Sequence, residues 1–261
     1  MAKRLMIVVA LLGVTVFDAS AIAIHELSRD SEYIAYGSLF PSVGYFGAYE
    51  GGNPYFIASA VVIDDGHWVL TSTHGALSND NDPNSFYDSY IFGTGSNVWG
   101  DPGNRYTATN IWLAPGYTEG VYSPDIALLY FEESIFGVTP AERYRGSLGY
   151  HNLISFAGFG DGGDTDTGYI DAIDGQRRGA QGYVGTFGSF HESVVTSRFW
   201  PEGDSDYLPL GGLGAPGDSG GGVFLNDLLA GIMVGTTPGG PDYYNSTHFQ
   251  QLSYYNDWID E

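Results

Sequence analysis

The chain has 261 residues, no cysteine, and 31 acidic against 9 basic residues, for a formal charge of −22. That charge argues against binding to nucleic acid or to an anionic membrane surface, and the length suits one large all-β domain or two small barrels. With 20 tyrosines, 15 phenylalanines, 5 tryptophans and 39 glycines, short strands joined by many turns are expected.

The chain opens with Lys3-Arg4, an apolar run from Leu5 to Phe17, and Ala19-Ser20-Ala21. A basic start, a short apolar stretch and small residues at an A-x-A site read as a secretory signal peptide over residues 1–21, cut after Ala21 or, as second choice, Ala23. The competing reading is a buried N-terminal helix. The run is too short to span a bilayer, so a secreted or periplasmic mature protein, off the membrane, is expected.

Apolar or alternating runs follow at Tyr55–Ile63, His67–Thr71, Tyr87–Phe92, Tyr106–Leu113 and Ile126–Phe131. Turn-rich stretches separate them, and together they read as one β-barrel over 22–135. A second set lies at Asn152–Gly158, Gln181–Gly188, Ser193–Phe199, Gly221–Leu225, Leu229–Thr236 and Ser246–Gln250, a second barrel over 136–261. Phe249, Leu252, Tyr255, Trp258 and Ile259 then fall at helical spacing, which predicts a closing helix over Phe249–Ile259. Gly158 to Gly163 matches a dinucleotide pattern, but no helix-like run follows it. Asp161, Asp164, Asp166 and Asp171 form an acidic loop that suits calcium chemically. The spacing is not that of an EF-hand, so a solvated loop and no cofactor are expected.

Three segments carry chemistry. Trp68 to Ala76 is a strand-like run ending at His74 beside small residues. Asp125 begins the apolar run Ile126–Tyr130. Gly217-Asp218-Ser219-Gly220-Gly221 sets a serine between glycines, whose backbone freedom exposes the hydroxyl and leaves the Gly217 and Ser219 N–H groups free to face a developing oxyanion. Each alone is compatible with a purely structural role. Together they supply a nucleophile, a base and an orienter in the chain order His, Asp, Ser.

"VLTSTHGA", "DIALL" and "GDSGG" resemble the histidine, aspartate and serine motifs of trypsin/chymotrypsin-like serine proteases. The resemblance covers roughly residues 33–261. It implies an all-β fold of two antiparallel six-stranded barrels packed face to face with a C-terminal helix. It implies a serine endopeptidase acting on peptide or protein substrates, with His74, Asp125 and Ser219 catalytic; a monomer is expected. Gly217 and Ser219 would form the oxyanion hole. Asp218 would pair with a new N-terminal ammonium. Leu213 stands where trypsin-like members carry the acid that selects Lys or Arg, and Val234, Gly235 and Thr236 would line the specificity pocket. An apolar Leu213 predicts non-tryptic cleavage, after small or medium apolar residues. Gly75 stands where animal members carry a cysteine, which points to a microbial type.

Overall fold

The computed structural model describes residues 22–118, 124–170, 174–187 and 191–261. The expected signal segment lies outside them, as do Ser123 and Asp171. In chain order the elements begin with β1 (Ile22–Ile24) and α1 (Asp30–Gly37). Next come β2 (Val43–Glu50), β3 (Asn53–Ile63), β4 (Trp68–Thr71), α2 (Thr73–Ala76), β5 (Ser89–Gly93), β6 (Arg105–Thr107), β7 (Asn110–Leu113) and β8 (Ala127–Tyr130). The second half holds β9 (Leu153–Gly158), β10 (Gly162–Asp164), β11 (Gly168–Ile170), β12 (Arg178–Phe187) and β13 (Val194–Arg198). It closes with β14 (Gly222–Leu225), β15 (Leu228–Thr236), β16 (Ser246–Gln251), a 3₁₀ turn (Leu252–Tyr254) and α3 (Asn256–Asp260).

The second unit is a closed barrel in the order β12-β13-β16-β15-β14-β9. The first is a 7-stranded sheet, β6-β5-β2-β3-β4-β8-β7, rather than the closed six-stranded barrel expected. Its two edge strands, β6 and β7, are joined only by Ala108-Thr109, a link that can span no more than about 11 Å. The sheet must therefore curl until its edges nearly meet. Ala108 N–H bonds to Tyr90 on one side of this seam and Thr109 N–H to Tyr130 on the other. The expected single run Tyr106–Leu113 is thus two strands on opposite edges.

Apolar packing explains how the units meet. Phe46, Val62, Val69, Phe92 and Leu129 fill the first sheet, and Ile154, Phe156, Val195, Met233 and Phe249 fill the second barrel. A further cluster joins Tyr45, Val61, Leu70 and Leu128 to Phe159, Phe224, Ile232 and Val234. The two units therefore share a continuous buried seam.

The segment Ile22–Gly37 precedes the first sheet in the chain but packs on the second barrel. β1 pairs in parallel with β10, and Arg178 on β12 holds Asp30 of α1. Gly37 sits so close to β12 that a Cβ there would lie 2.6 Å from the Arg178 carbonyl carbon.

The C-terminal segment corrects the expected helix. Phe249 lies in β16, facing Val195 across β13 and Met233 across β15. The barrel needs that strand to close, so the helix is confined to Asn256–Asp260. No helix among the described residues is long and apolar enough to cross a membrane.

Candidate active site

The first sheet brings His74 and Asp125 together through strand register. β4 and β8 pair antiparallel with Thr71 opposite Ala127. The residues just after β4 therefore lie beside those just before β8. Asp125 is wholly buried. One carboxylate oxygen accepts the His74 backbone N–H at 2.9 Å, and the other lies 2.6 Å from His74 Nδ1. Gripped at backbone and ring, the imidazole has its proton placed on Nδ1, and Nε2 keeps its lone pair. That lone pair faces Ser219 Oγ at 2.8 Å.

Charge and burial act against each other at His74. Burial pushes the imidazole down, but the charge of Asp125 and its hydrogen bond, with a smaller push from Asp80, outweigh it. The net effect raises the imidazole above its ordinary 6.5. The ring keeps 30 % side-chain exposure against 1 % for Asp125, so it remains open to a reacting group.

Ser219 sits on the loop before β14, which is seated by the neighbouring strand. Gly220 N–H donates to Met233 O at 2.7 Å, and Met233 N–H to Gly221 O at 2.8 Å. Gly220 has φ +82°, and a Cβ there would lie 2.2 Å from Ser59 O, so only glycine fits. Gly217 has φ +90°. Among the described residues, neither the Gly217 nor the Ser219 N–H has a hydrogen-bond acceptor. Two free donors beside a serine hydroxyl form a cradle for an oxyanion.

Asp218 points the other way, into the barrel. Its carboxylate accepts the Gly160 N–H at 2.8 Å, the Ala215 N–H at 2.9 Å and the Ile22 backbone N–H. Burial nevertheless dominates. It lifts the carboxyl from 3.8 to about 7 against those three bonds and the charge of Arg178.

The expected specificity residues are found as follows. Leu213 is fully buried with Ala23 and Phe199 and exchanges two backbone hydrogen bonds with Ala23. Val234 is buried in the seam between the units. Thr236 is half-buried at the end of β15, directly opposite Thr247. A Cβ on Gly214 would lie 3.1 Å from Thr247 Cγ2 and 3.4 Å from Thr236 Cγ2, so both methyls crowd the Gly214 backbone. Sequence reasoning missed Thr247, because its place depends on the β15–β16 register across a bulge between Met233 and Gly235. It also passed over Ser59 on β3, whose backbone N–H donates to Ser219 O at 2.8 Å.

Among the described residues, no three His, Asp or Glu side chains are grouped to hold a metal ion. Asp164 turns its carboxylate onto its own loop, accepting the Asp166 and Thr167 N–H groups.

No protein-family model and no curated protein sequence matches the chain. Its fold is similar to that of solved proteases. An inactivated protease paralogue of the scabies mite superposes with a TM-score of 0.61 at 20 % identity, covering 84 % of this chain and 92 % of that one. Neuropsin, a serine protease expressed in mouse brain, superposes with a TM-score of 0.63 at 18 % identity, covering 85 % and 93 %. A closed barrel, a curled sheet and a short terminal helix, so arranged, are the chymotrypsin fold, which these two solved structures share.

Proposed function

We propose that the chain is a secreted serine endopeptidase that cleaves peptide bonds through an acyl-enzyme. The carrying observation is the line Asp125–His74–Ser219, at 2.6 and 2.8 Å, beside two free N–H donors. Ser219 Oγ attacks the scissile carbonyl while His74 Nε2 takes its proton. Asp125 holds the ring and stabilises the imidazolium. The Gly217 and Ser219 N–H groups receive the oxyanion, each worth on the order of 2.7–4 kcal/mol. His74 then protonates the leaving amine, and water repeats the sequence on the acyl-enzyme. The likeness to an inactivated paralogue frames the alternative, a protease-like protein that only binds. Labelling by a fluorophosphonate of protein that begins at Ile22 decides between them: covalent capture is expected, and an unreacted protein overturns the proposal.

The crowding by Thr236 and Thr247 favours small side chains before the cleaved bond. In a peptide series differing only at that position, alanine or glycine is expected to give the highest kcat/KM. Preference for arginine or lysine would overturn this reading.

We further propose that a cut before Ile22 matures the enzyme. Ile22 has φ +59°, a conformation that β-branched residues avoid because of the preceding carbonyl. A cut removes that carbonyl and puts an ammonium beside the Asp218 carboxylate. In the uncut chain, Asp218 has a raised pKa. Its contribution to stability is then complete below pH 3.8 and lost as pH rises through about 7. In the cut form the ammonium favours the charged carboxylate and reverses the trend. Thermal unfolding of the two forms between pH 5 and 8 should therefore diverge, with the uncut form losing ground as pH rises. Parallel curves, or an active secreted protein starting well beyond Ile24, would count against it.

A further inference from the structure

We infer that Ser59 is a positioning residue of the oxyanion hole: its hydroxyl locks the peptide unit lying between the two donor N–H groups. This rests on the reading of the site as a protease centre.

A planar peptide points its C=O and N–H in opposite directions, so tying down the carbonyl aims the donor. The peptide that carries the Gly217 N–H has its carbonyl, Pro216 O, held by the Asp161 N–H at 2.6 Å. The peptide that carries the Ser219 N–H has its carbonyl, Asp218 O, held by the Gly221 N–H at 2.8 Å. Backbone alone therefore aims each donor. The peptide between them sets the angle at which they converge. Its N–H donates to Ala215 O at 3.0 Å, and its carbonyl, Gly217 O, accepts the Ser59 hydroxyl at 3.0 Å. Of the three consecutive carbonyls, this is the one held by a side chain.

The hydroxyl has no freedom to do otherwise. Phe159 N–H donates to Ser59 Oγ at 2.9 Å, which leaves the hydroxyl proton for Gly217 O. The Ser59 backbone is fixed at both ends, its N–H on Ser219 O at 2.8 Å and its carbonyl under Thr71 Oγ1 at 2.8 Å. Ser59 is fully buried. Gly217, at φ +90°, contributes no stiffness of its own. The first sheet thus reaches through Ser59 to hold a loop of the second barrel. If the middle peptide swings, the two donors stop converging on one oxygen.

The test compares Ser59→Ala, Ser59→Gly and Ser59→Thr with the unaltered enzyme, each counted by fluorophosphonate titration so that only competent centres are measured. Deleting an oxyanion donor costs about 10²–10³-fold in kcat, so loosening both should cost about 10- to 100-fold. The alanine and glycine variants are expected to lose that much kcat with KM nearly unchanged. Affinity for a peptidyl trifluoromethyl ketone, whose adduct carries the oxyanion, should fall by a similar factor. The acid limb of the pH profile should stay in place, because His74 is untouched. Ser59→Thr, which keeps a hydroxyl, should restore most of the kcat. Should the alanine variant not fold, the glycine and threonine pair carries the same comparison. Full kcat per titrated centre without the hydroxyl would overturn the positioning role and leave the protease reading intact. Protein that begins at Ile22, is otherwise unaltered and fails to label would overturn both.

Discussion

Ser219→Ala should abolish peptide hydrolysis while leaving the fold untouched. The Ser219 side chain has one hydrogen-bond partner among the described residues, His74 Nε2, whereas its carbonyl is held from β3 by the Ser59 N–H. Removing the hydroxyl therefore deletes the nucleophile without disturbing the loop. A loss in kcat of roughly 10⁶-fold is expected, leaving the weak background that aimed donors and binding alone provide. Thermal unfolding should shift by no more than a degree or two, and fluorophosphonate labelling should vanish. Turnover persisting within tenfold of the unaltered enzyme would show that another group does the chemistry.

The second large effect is on Asp125. In Asp125→Asn, the amide NH₂ can donate to Nδ1 and place the ring proton on Nε2, where it faces Ser219 and cannot accept from it. A fall in kcat of roughly 10⁴-fold is expected from the wrong tautomer. The pH profile adds a sign. In the unaltered enzyme, Asp125 outweighs burial and holds His74 above 6.5. The acid limb of kcat/KM, which reports the base in the free enzyme, should therefore have its midpoint above 6.5. Asparagine removes the negative charge and leaves burial, which lowers the imidazole, so the limb should move to lower pH. A limb that stays put or rises would mean that His74 is not the titrating base.

The three motif segments were legible because their chemistry is local. Each lies in the chain directly beside a strand, His74 just after β4, Asp125 just before β8 and Ser219 just before β14, and the expected strands Asn152–Gly158, Ser193–Phe199 and Leu229–Thr236 lie close to β9, β13 and β15. What escaped reading depends on contacts distant in sequence. β2 is diluted by Gly44 and Gly47, which are glycine because the neighbouring strand leaves no room. A Cβ on Gly44 would lie 2.3 Å from Gly93 O. α1, with the sequence DSEYIAYG, is mostly polar and shows little apolar periodicity. It is held instead by Asp30 on Arg178 and by the Tyr33 hydroxyl on Gly211 O. Phe249 has the right spacing for a helix but is claimed by barrel closure. Ser59 and Thr247 carry no sequence signal of their own. Their roles arise only when β3 meets the serine loop and β16 meets β15 in register.

The burial of β1 bears on how the protein is prepared. Ile22 has no exposed surface, and its N–H ends on the Asp218 carboxylate. On the maturation proposed above, an affinity tag, a protease scar or an initiator methionine left in front of Ile22 keeps a peptide bond in place of the ammonium beside Asp218. Such a sample is the uncut form, and its turnover should be compared with that of protein starting at Ile22. The exposed Glu261 at the other end offers a place for a tag that leaves this contact alone.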